Sequence, residues 1–189
     1  MDIYRVSRDG TALSRVTVTP GVDIIPSWSP DGTTLAFTSN RHGNREIYLK
    51  HLDGSGVTRL TRSAGTDMLP AWSPDGTRIA FASLRDGNYE IYVMNADGSG
   101  QTRLTNHPAK DNTPAWAGSN RILFESERTG NLEIFAMNAD GSKKLLLDTS
   151  ANDAGQDVLQ EQPGIARRME ELTVAIHETA KYMLYHNKQ

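Results

Sequence analysis

No cysteine occurs in the 189 residues, which excludes disulfides, thiolate metal ligands and a cysteine nucleophile and leaves the redox compartment open. No window approaches 18 apolar residues, so no membrane span is expected. The Met-Asp-Ile-Tyr-Arg-Val start has neither the cationic beginning nor the apolar run of a secretory signal. Basic clustering is scarce too. No run exceeds a pair such as Arg167-Arg168, and 20 Lys and Arg stand against 23 Asp and Glu, a balance that argues against dedicated nucleic-acid binding. Catalytic signatures are missing as well: there is no Gly-x-Ser-x-Gly elbow, no phosphate loop and no Gly-x-Gly-x-x-Gly. His177-Glu178 begins like a zinc-protease helix, but the position four after His177 is Lys181. With 37% hydrophobic residues the chain is nonetheless rich enough to bury a core.

What the sequence does have is a repeat. Trp28, Trp72 and Trp116 recur every 44 residues, Tyr48, Tyr92 and Phe135 keep nearly the same beat, and Asp-Gly pairs at 9–10, 53–54, 97–98 and 140–141 keep it too. The one-residue shortfall late in the chain has a location: the turn Trp-Ser-Pro-Asp-Gly-Thr at 72–77 becomes the shorter Trp116-Ala-Gly-Ser-Asn120. One unit reads as four strands. Pro70–Ser73 is followed by a Pro-Asp-Gly turn, and Arg78–Ser83 alternates Ile79 and Phe81 with Ala80 and Ala82. After the turn at 85–88, Glu90–Met94 runs back and Gln101–Thr105 closes the unit. Four antiparallel strands in about 44 residues predict an all-β fold, a β-propeller built of four-stranded blades.

The blade phase is unusual. Asp2-Ile-Tyr4 aligns with Glu46-Ile-Tyr48, so the count is a half blade at 1–19 followed by blades at about 20–62, 63–106 and 107–149. The next Trp-Ser-Pro-Asp-Gly does not follow. A linker at 151–164 leads instead into a stretch, 165–189, predicted as an amphipathic helix in which Ile165, Met169, Leu172, Ile176, Thr179 and Met183 step at heptad spacing. Ile165, Met169, Leu172, Ile176 and Met183 are the candidate assembly residues: this stripe either packs on its own propeller, pairs with another copy or lies on a membrane surface.

Three sets of periodic residues are candidates for a site. Asp23, Asp67 and Asp111 each stand five residues before a repeat tryptophan, where converging carboxylates would either bind Ca²⁺ or pair with the equally periodic Arg41, Arg85 and Arg128; the ion pair is the favoured reading. Trp28, Trp72 and Trp116 are read as packing between blades rather than as ligand-stacking rings. Glu46, Glu90 and Glu133 are read as marking the start of a strand. The Asn95-x-Asp97-x-Ser99 turn resembles half a calcium loop but lacks the distal Glu, and the five histidines recur at no repeat position and are read as surface or structural.

The Trp-Ser-Pro-Asp-Gly-Thr motif at 28–33 and 72–77, followed by Ala-Phe-x-Ser, Arg-x-Gly-Asn, Glu-Ile-Tyr, Asp-Gly and Leu-Thr, resembles the TolB-type (WD40-like) propeller repeat over residues 1–150. The resemblance implies a binding or gating propeller, usually of six or more blades, in an extracytoplasmic setting, periplasmic or secreted. It leaves three readings. One is a non-enzymatic module that binds proteins, other copies of itself foremost, as a homo-oligomer or filament. Another is a detached gating propeller of a prolyl-oligopeptidase-like serine peptidase, and the third a metal-dependent enzyme using the channel carboxylates. The first is preferred because the periodic residues look structural and no catalytic constellation accompanies them.

Overall fold

A computed structural model of the chain describes residues 1–147; the linker and the amphipathic stretch with Ile165, Met169, Leu172, Ile176 and Met183 lie outside the described residues. The described part is strands and turns only. A two-stranded hairpin comes first, β1 (Tyr4–Val6) with β2 (Leu13–Arg15). Three four-stranded antiparallel sheets follow, each in simple meander order. The first holds β3 (Asp23–Trp28), β4 (Thr34–Ser39), β5 (Glu46–His51) and β6 (Val57–Arg59). The second holds β7 (Asp67–Trp72), β8 (Arg78–Ser83), β9 (Glu90–Asn95) and β10 (Thr102–Arg103). The third holds β11 (Asp111–Trp116), β12 (Arg121–Ser126), β13 (Glu133–Asn138) and β14 (Leu145–Leu146). These are propeller blades, and β1–β2 supply the third and fourth strands of another.

The alternation seen in β8 has a different meaning from a solvent-facing sheet. Ile79, Ala80, Phe81 and Ala82 are all buried, because this blade lies between two others that cover both of its faces. Size, rather than polarity, alternates. Ala80 shares a cluster with Trp116 of the following blade, and Ala36 shares one with Trp72, so the small residues make room for the next blade's indole. The first strand is longer than expected, starting at Asp67 rather than Pro70, and the fourth is shorter, Thr102–Arg103 in place of Gln101–Thr105.

Each first strand carries a bulge between its second and fifth residues, as at Met68/Ala71. The cause is a left-handed residue just before proline: Ile25 (φ 55°), Leu69 (φ 60°) and Thr113 (φ 52°). Side chains avoid this region, β-branched ones most, and a following proline favours extended backbone instead. Tertiary contacts hold the strain. Leu69 N–H donates to Thr38 Oγ1 of the preceding blade at 3.2 Å, and Thr113 Oγ1 donates to Glu125 at 2.8 Å. The joint between blades is completed by main chain. The Asp23, Asp67 and Asp111 N–H groups donate to the carbonyls of Met1, Arg45 and Tyr89 at 2.9, 2.9 and 2.8 Å.

The Ser-Pro-Asp-Gly-Thr turns are self-contained. Asp75 Oδ1 accepts from Ser73 Oγ at 2.6 Å, Thr77 N–H at 3.0 Å and Thr77 Oγ1 at 2.8 Å, and Gly76 takes the left-handed position at φ 70°. These bonds, that from Ser73 foremost, hold the Asp75 carboxyl at about 2.

Candidate functional site

The periodic aspartates and arginines meet blade by blade. Arg41 Nη2 lies 2.9 Å from Asp23, Arg85 Nη2 2.8 Å from Asp67, and Arg128 Nη2 2.7 Å from Asp111. Each Asp begins the first strand of its blade and each Arg lies two residues past the end of the second, so one antiparallel pair brings them together. The same guanidinium donates Nε–H to Ser39, Ser83 or Ser126, at 3.0, 2.8 and 2.9 Å. It also covers two neighbouring rings: Arg41 lies over Phe37 and Tyr48, Arg85 over Phe81 and Tyr92, and Arg128 over Phe124 and Phe135, at 4.6–5.6 Å from each centroid. The planar fork of arginine does both jobs at once, which lysine's point charge cannot.

The aspartates differ in electrostatic setting. Burial pushes the Asp23 carboxyl up, but hydrogen bonds from Ser39 and Arg41 outweigh it and leave the group below its ordinary value. Asp67, enclosed between two full-length first-strand neighbours, is pushed up by burial and by the charge of Glu46 despite Ser83 and Arg85. Asp111 keeps one buried oxygen, Oδ1, without a hydrogen-bond partner.

Each carboxylate is therefore directed to its own arginine. Among the described residues no three Asp, Glu or His side chains gather closely enough to hold a metal ion. The expected result for Ca²⁺ is that EDTA leaves the melting temperature of the protein unchanged; a reversible fall restored by added calcium would overturn the ion-pair reading of Asp23, Asp67 and Asp111. The turn at Asn95–Ser99 is an Asx turn: Asp97 Oδ1 accepts from Ser99 N–H at 2.9 Å and from Ser99 Oγ at 2.6 Å.

A second ladder escaped the sequence reading. Glu46 and Glu90, taken above as the start of a strand, are fully buried and tie the fourth strand to the third. Glu46 accepts from Arg59 at 2.8 Å, Thr61 Oγ1 at 2.5 Å and Ser63 N–H at 2.9 Å. Glu90 accepts from Arg103 at 2.8 Å, Thr105 Oγ1 at 2.6 Å and His107 N–H at 2.9 Å. In the half blade Asp2 pairs with Arg15 at 2.6 Å. Arg15, Arg59 and Arg103 stand 44 residues apart, so the signal was present. In the last blade the equivalent position is Leu146, and Glu133 bonds to Thr129 instead. His42 Nδ1 lies 2.8 Å from the Tyr48 hydroxyl, a structural contact.

The tryptophans divide. Trp116 is 8% exposed and donates Nε1–H to the Ala71 carbonyl of the preceding blade at 3.1 Å. Trp72 packs on the cluster of Ala36, Ile47, Leu49 and Leu60. Trp28 is 45% exposed, which corrects the expectation that all three are inter-blade core. The blade before it consists of β1 and β2, and the strand that would carry the equivalent of Ala36 is missing among the described residues.

The profile of the TolB beta propeller domain family matches residues 1–68 and 61–162. A TolB homolog of Chlorobium luteolum is 50% identical over 48 residues, 25% of this chain and 11% of the relative, and the Tol-Pal system protein TolB of Bordetella pertussis is 45% identical over 47 residues, 24% and 11%. These matches therefore span about a tenth of the relatives' own length. The structure of a putative TolB from Agrobacterium tumefaciens superposes with a TM-score of 0.70 at 28% identity, covering 78% of this chain and 56% of that one. With the blade order, the Asp–Arg ladder and these matches together, the chain belongs to the TolB beta propeller domain family.

Proposed function

We propose that this propeller is a non-enzymatic protein-binding module whose open end associates with further blades, other copies of the same chain foremost, as a homo-oligomer or filament in an extracytoplasmic setting. One observation carries the reading. The half blade leaves Tyr4 54% exposed where Tyr48 is 1% and Tyr92 6%, and Trp28 of the next blade is exposed as well. Large aromatic residues exposed at places that the complete blades bury are surface that a further chain can cover. The periodic charged residues support a structural role over a catalytic one, since each is bonded within its own blade. Relatives named for the Tol-Pal system support a protein partner. The gating role beside a serine peptidase rests on the family resemblance alone.

Assembly has a geometric condition. Two copies bring two half blades that lack the same two strands, so the described residues of one do not complete the half blade of the other. Association between copies therefore docks whole faces, head to tail. Light scattering tests this: a mass of two or more 20.8 kDa chains is expected. A soluble 20.8 kDa monomer with no concentration dependence would overturn self-association.

A further inference from the structure

We propose that the Asp53–Gly54 step is a site of spontaneous covalent modification, closing to a succinimide and reopening as isoaspartate, while the fold holds the six other Asp-Gly steps of the chain against the same reaction.

The atoms balance without any outside reagent but water. The Gly54 nitrogen bonds to Cγ of Asp53 and gives up its proton. The carboxylic acid gives up its hydroxyl group, which leaves with that proton as water, and a five-membered imide remains. Water then opens the ring at either carbonyl. Opening at the main-chain carbonyl leaves the chain running through Cβ and Cγ, so the product keeps the parent mass with one more carbon in its backbone. Glycine favours the attack because it has no Cβ to shield its nitrogen. Proximity supplies the rest once Cγ swings onto that nitrogen. Bonds that fix the carboxylate or hold the glycine N–H oppose the swing.

A comparison between blades separates structure from sequence. Asp53-Gly54-Ser55-Gly56 and Asp97-Gly98-Ser99-Gly100 are the same tetrapeptide in the same turn, and Gly54 and Gly98 stand at φ 90° and 88°. Their bonding differs. Gly98 N–H donates to the Asn95 carbonyl at 2.9 Å, Asn95 N–H to the Ser99 carbonyl at 2.9 Å, and Asn95 Nδ2 to Ser99 Oγ at 2.9 Å. The last blade repeats this clasp, with Gly141 N–H on the Asn138 carbonyl at 2.8 Å and Asn138 Nδ2 on Ser142 Oγ at 3.0 Å. Between β5 and β6 the clasp residue is His51, whose ring lies 3.0 Å from Thr34 Oγ1 instead. Gly54 N–H makes no hydrogen bond of normal geometry, and Asp53 is bonded to Ser55, whose N–H lies 2.8 Å away.

Packing points the same way. A Cβ added at Gly98 or Gly141 would lie 3.0 or 2.9 Å from the carbonyl oxygen of Leu60 or Leu104 in the preceding blade. One added at Gly54 would meet nothing within 4 Å, although Val16 stands where Leu60 and Leu104 do. The other steps are closed. Asp9, Asp31 and Asp75 each accept from a serine Oγ at 2.5–2.6 Å and from a threonine Oγ1 at 2.8 Å. The N–H groups of Gly10, Gly32 and Gly76 donate to the carbonyls of Ser7, Ser29 and Ser73 at 2.8–2.9 Å. Asp86 accepts from the Tyr92 hydroxyl, and Gly87 N–H donates to the Leu84 carbonyl at 3.2 Å.

The experiment ages the full-length protein in mildly acidic buffer made with heavy-oxygen water, then maps isoaspartate in its peptides by electron-transfer fragmentation. Isoaspartate carrying the heavy oxygen is expected to accumulate at Asp53 at least about tenfold faster than at any of the other six steps. In concentrated urea the rates at Asp53 and Asp97 are expected to converge, because the two tetrapeptides are identical. His51→Asn, which offers the clasp that Asn95 provides, is expected to slow the reaction at Asp53 in the folded protein. Equal accumulation at Asp53 and Asp97 in the folded protein, or none at Asp53, would overturn the inference. So would a gap that persists in urea, which would trace to sequence alone, or an unchanged rate in His51→Asn.

Discussion

Trp116→Ala is expected to cost about 3–5 kcal/mol in denaturant unfolding, and Trp28→Ala less than about 1.5 kcal/mol. The two residues hold the same place in the repeat, so the difference comes from the neighbour and not from the side chain. Trp116 fills a pocket lined by Ala80, Ile91, Val93 and Leu104, bonds to the Ala71 carbonyl and lies 4.7 Å beneath the Arg78 guanidinium. Its removal leaves a cavity between two blades that rigid sheets cannot collapse to fill. Trp28 is exposed beside a blade of which the described residues contain β1 and β2 alone. Equal losses at the two positions would show that the N-terminal face is covered in solution.

The second large effect belongs to Arg85. Arg85→Ala strands the Asp67 carboxylate, whose side chain is wholly inaccessible, and takes the cation from above Phe81 and Tyr92. Breaking a buried pair by removing one partner costs about 3–5 kcal/mol. The pH dependence has a definite sign. The Asp67 carboxyl already titrates above the ordinary 3.8, through burial and the nearby charge of Glu46, and loss of the arginine raises it further. A carboxyl raised on folding binds more protons in the native state. Its contribution is fully present below the unfolded value and is lost as pH rises through the folded one. The variant is therefore expected to melt higher in mildly acidic than in neutral buffer. Arg85→Lys is expected to recover only part of the loss, because an ammonium does not reach Asp67, Ser83 and Gln101 together as the guanidinium does. A wild-type melting profile for Arg85→Ala at every pH would exclude a structural role for the pair.

The repeat was legible because it is written in residues that have one structural use each. Trp28, Trp72 and Trp116 fixed the period, and matching periods of Asp and Arg pointed to a pair before any distance was known. The spacing could not show who stands beside each blade, and so it treated Trp28 like Trp116. The Glu46–Arg59 and Glu90–Arg103 pairs were missed for another reason: a glutamate before an Ile-Tyr strand looks like ordinary polar punctuation, and the equal spacing of Arg15, Arg59 and Arg103 was not set against it. The backbone at Ile25, Leu69 and Thr113 departs from the local rule. A residue before proline is expected to be extended, yet Leu69 is held left-handed by a bond to the preceding blade and Thr113 by one to Glu125 of its own.

The joint between blades is closed in part by a main-chain N–H on a main-chain carbonyl, renewed at Asp23, Asp67 and Asp111. That bond does not read side chains, so it recurs wherever one blade follows another, while the repeated tryptophan and alanine keep the packing in step. The molecule then behaves as a one-dimensional lattice, in which total stability is a sum of unit terms and nearest-neighbour coupling terms. An internal unit such as β7–β10 has two couplings, while β1–β2 has one seam and half a unit of its own. Gene duplication could lengthen such an array by whole 44-residue steps without redesigning any seam, and thermal opening would begin at an uncoupled end and advance inward blade by blade.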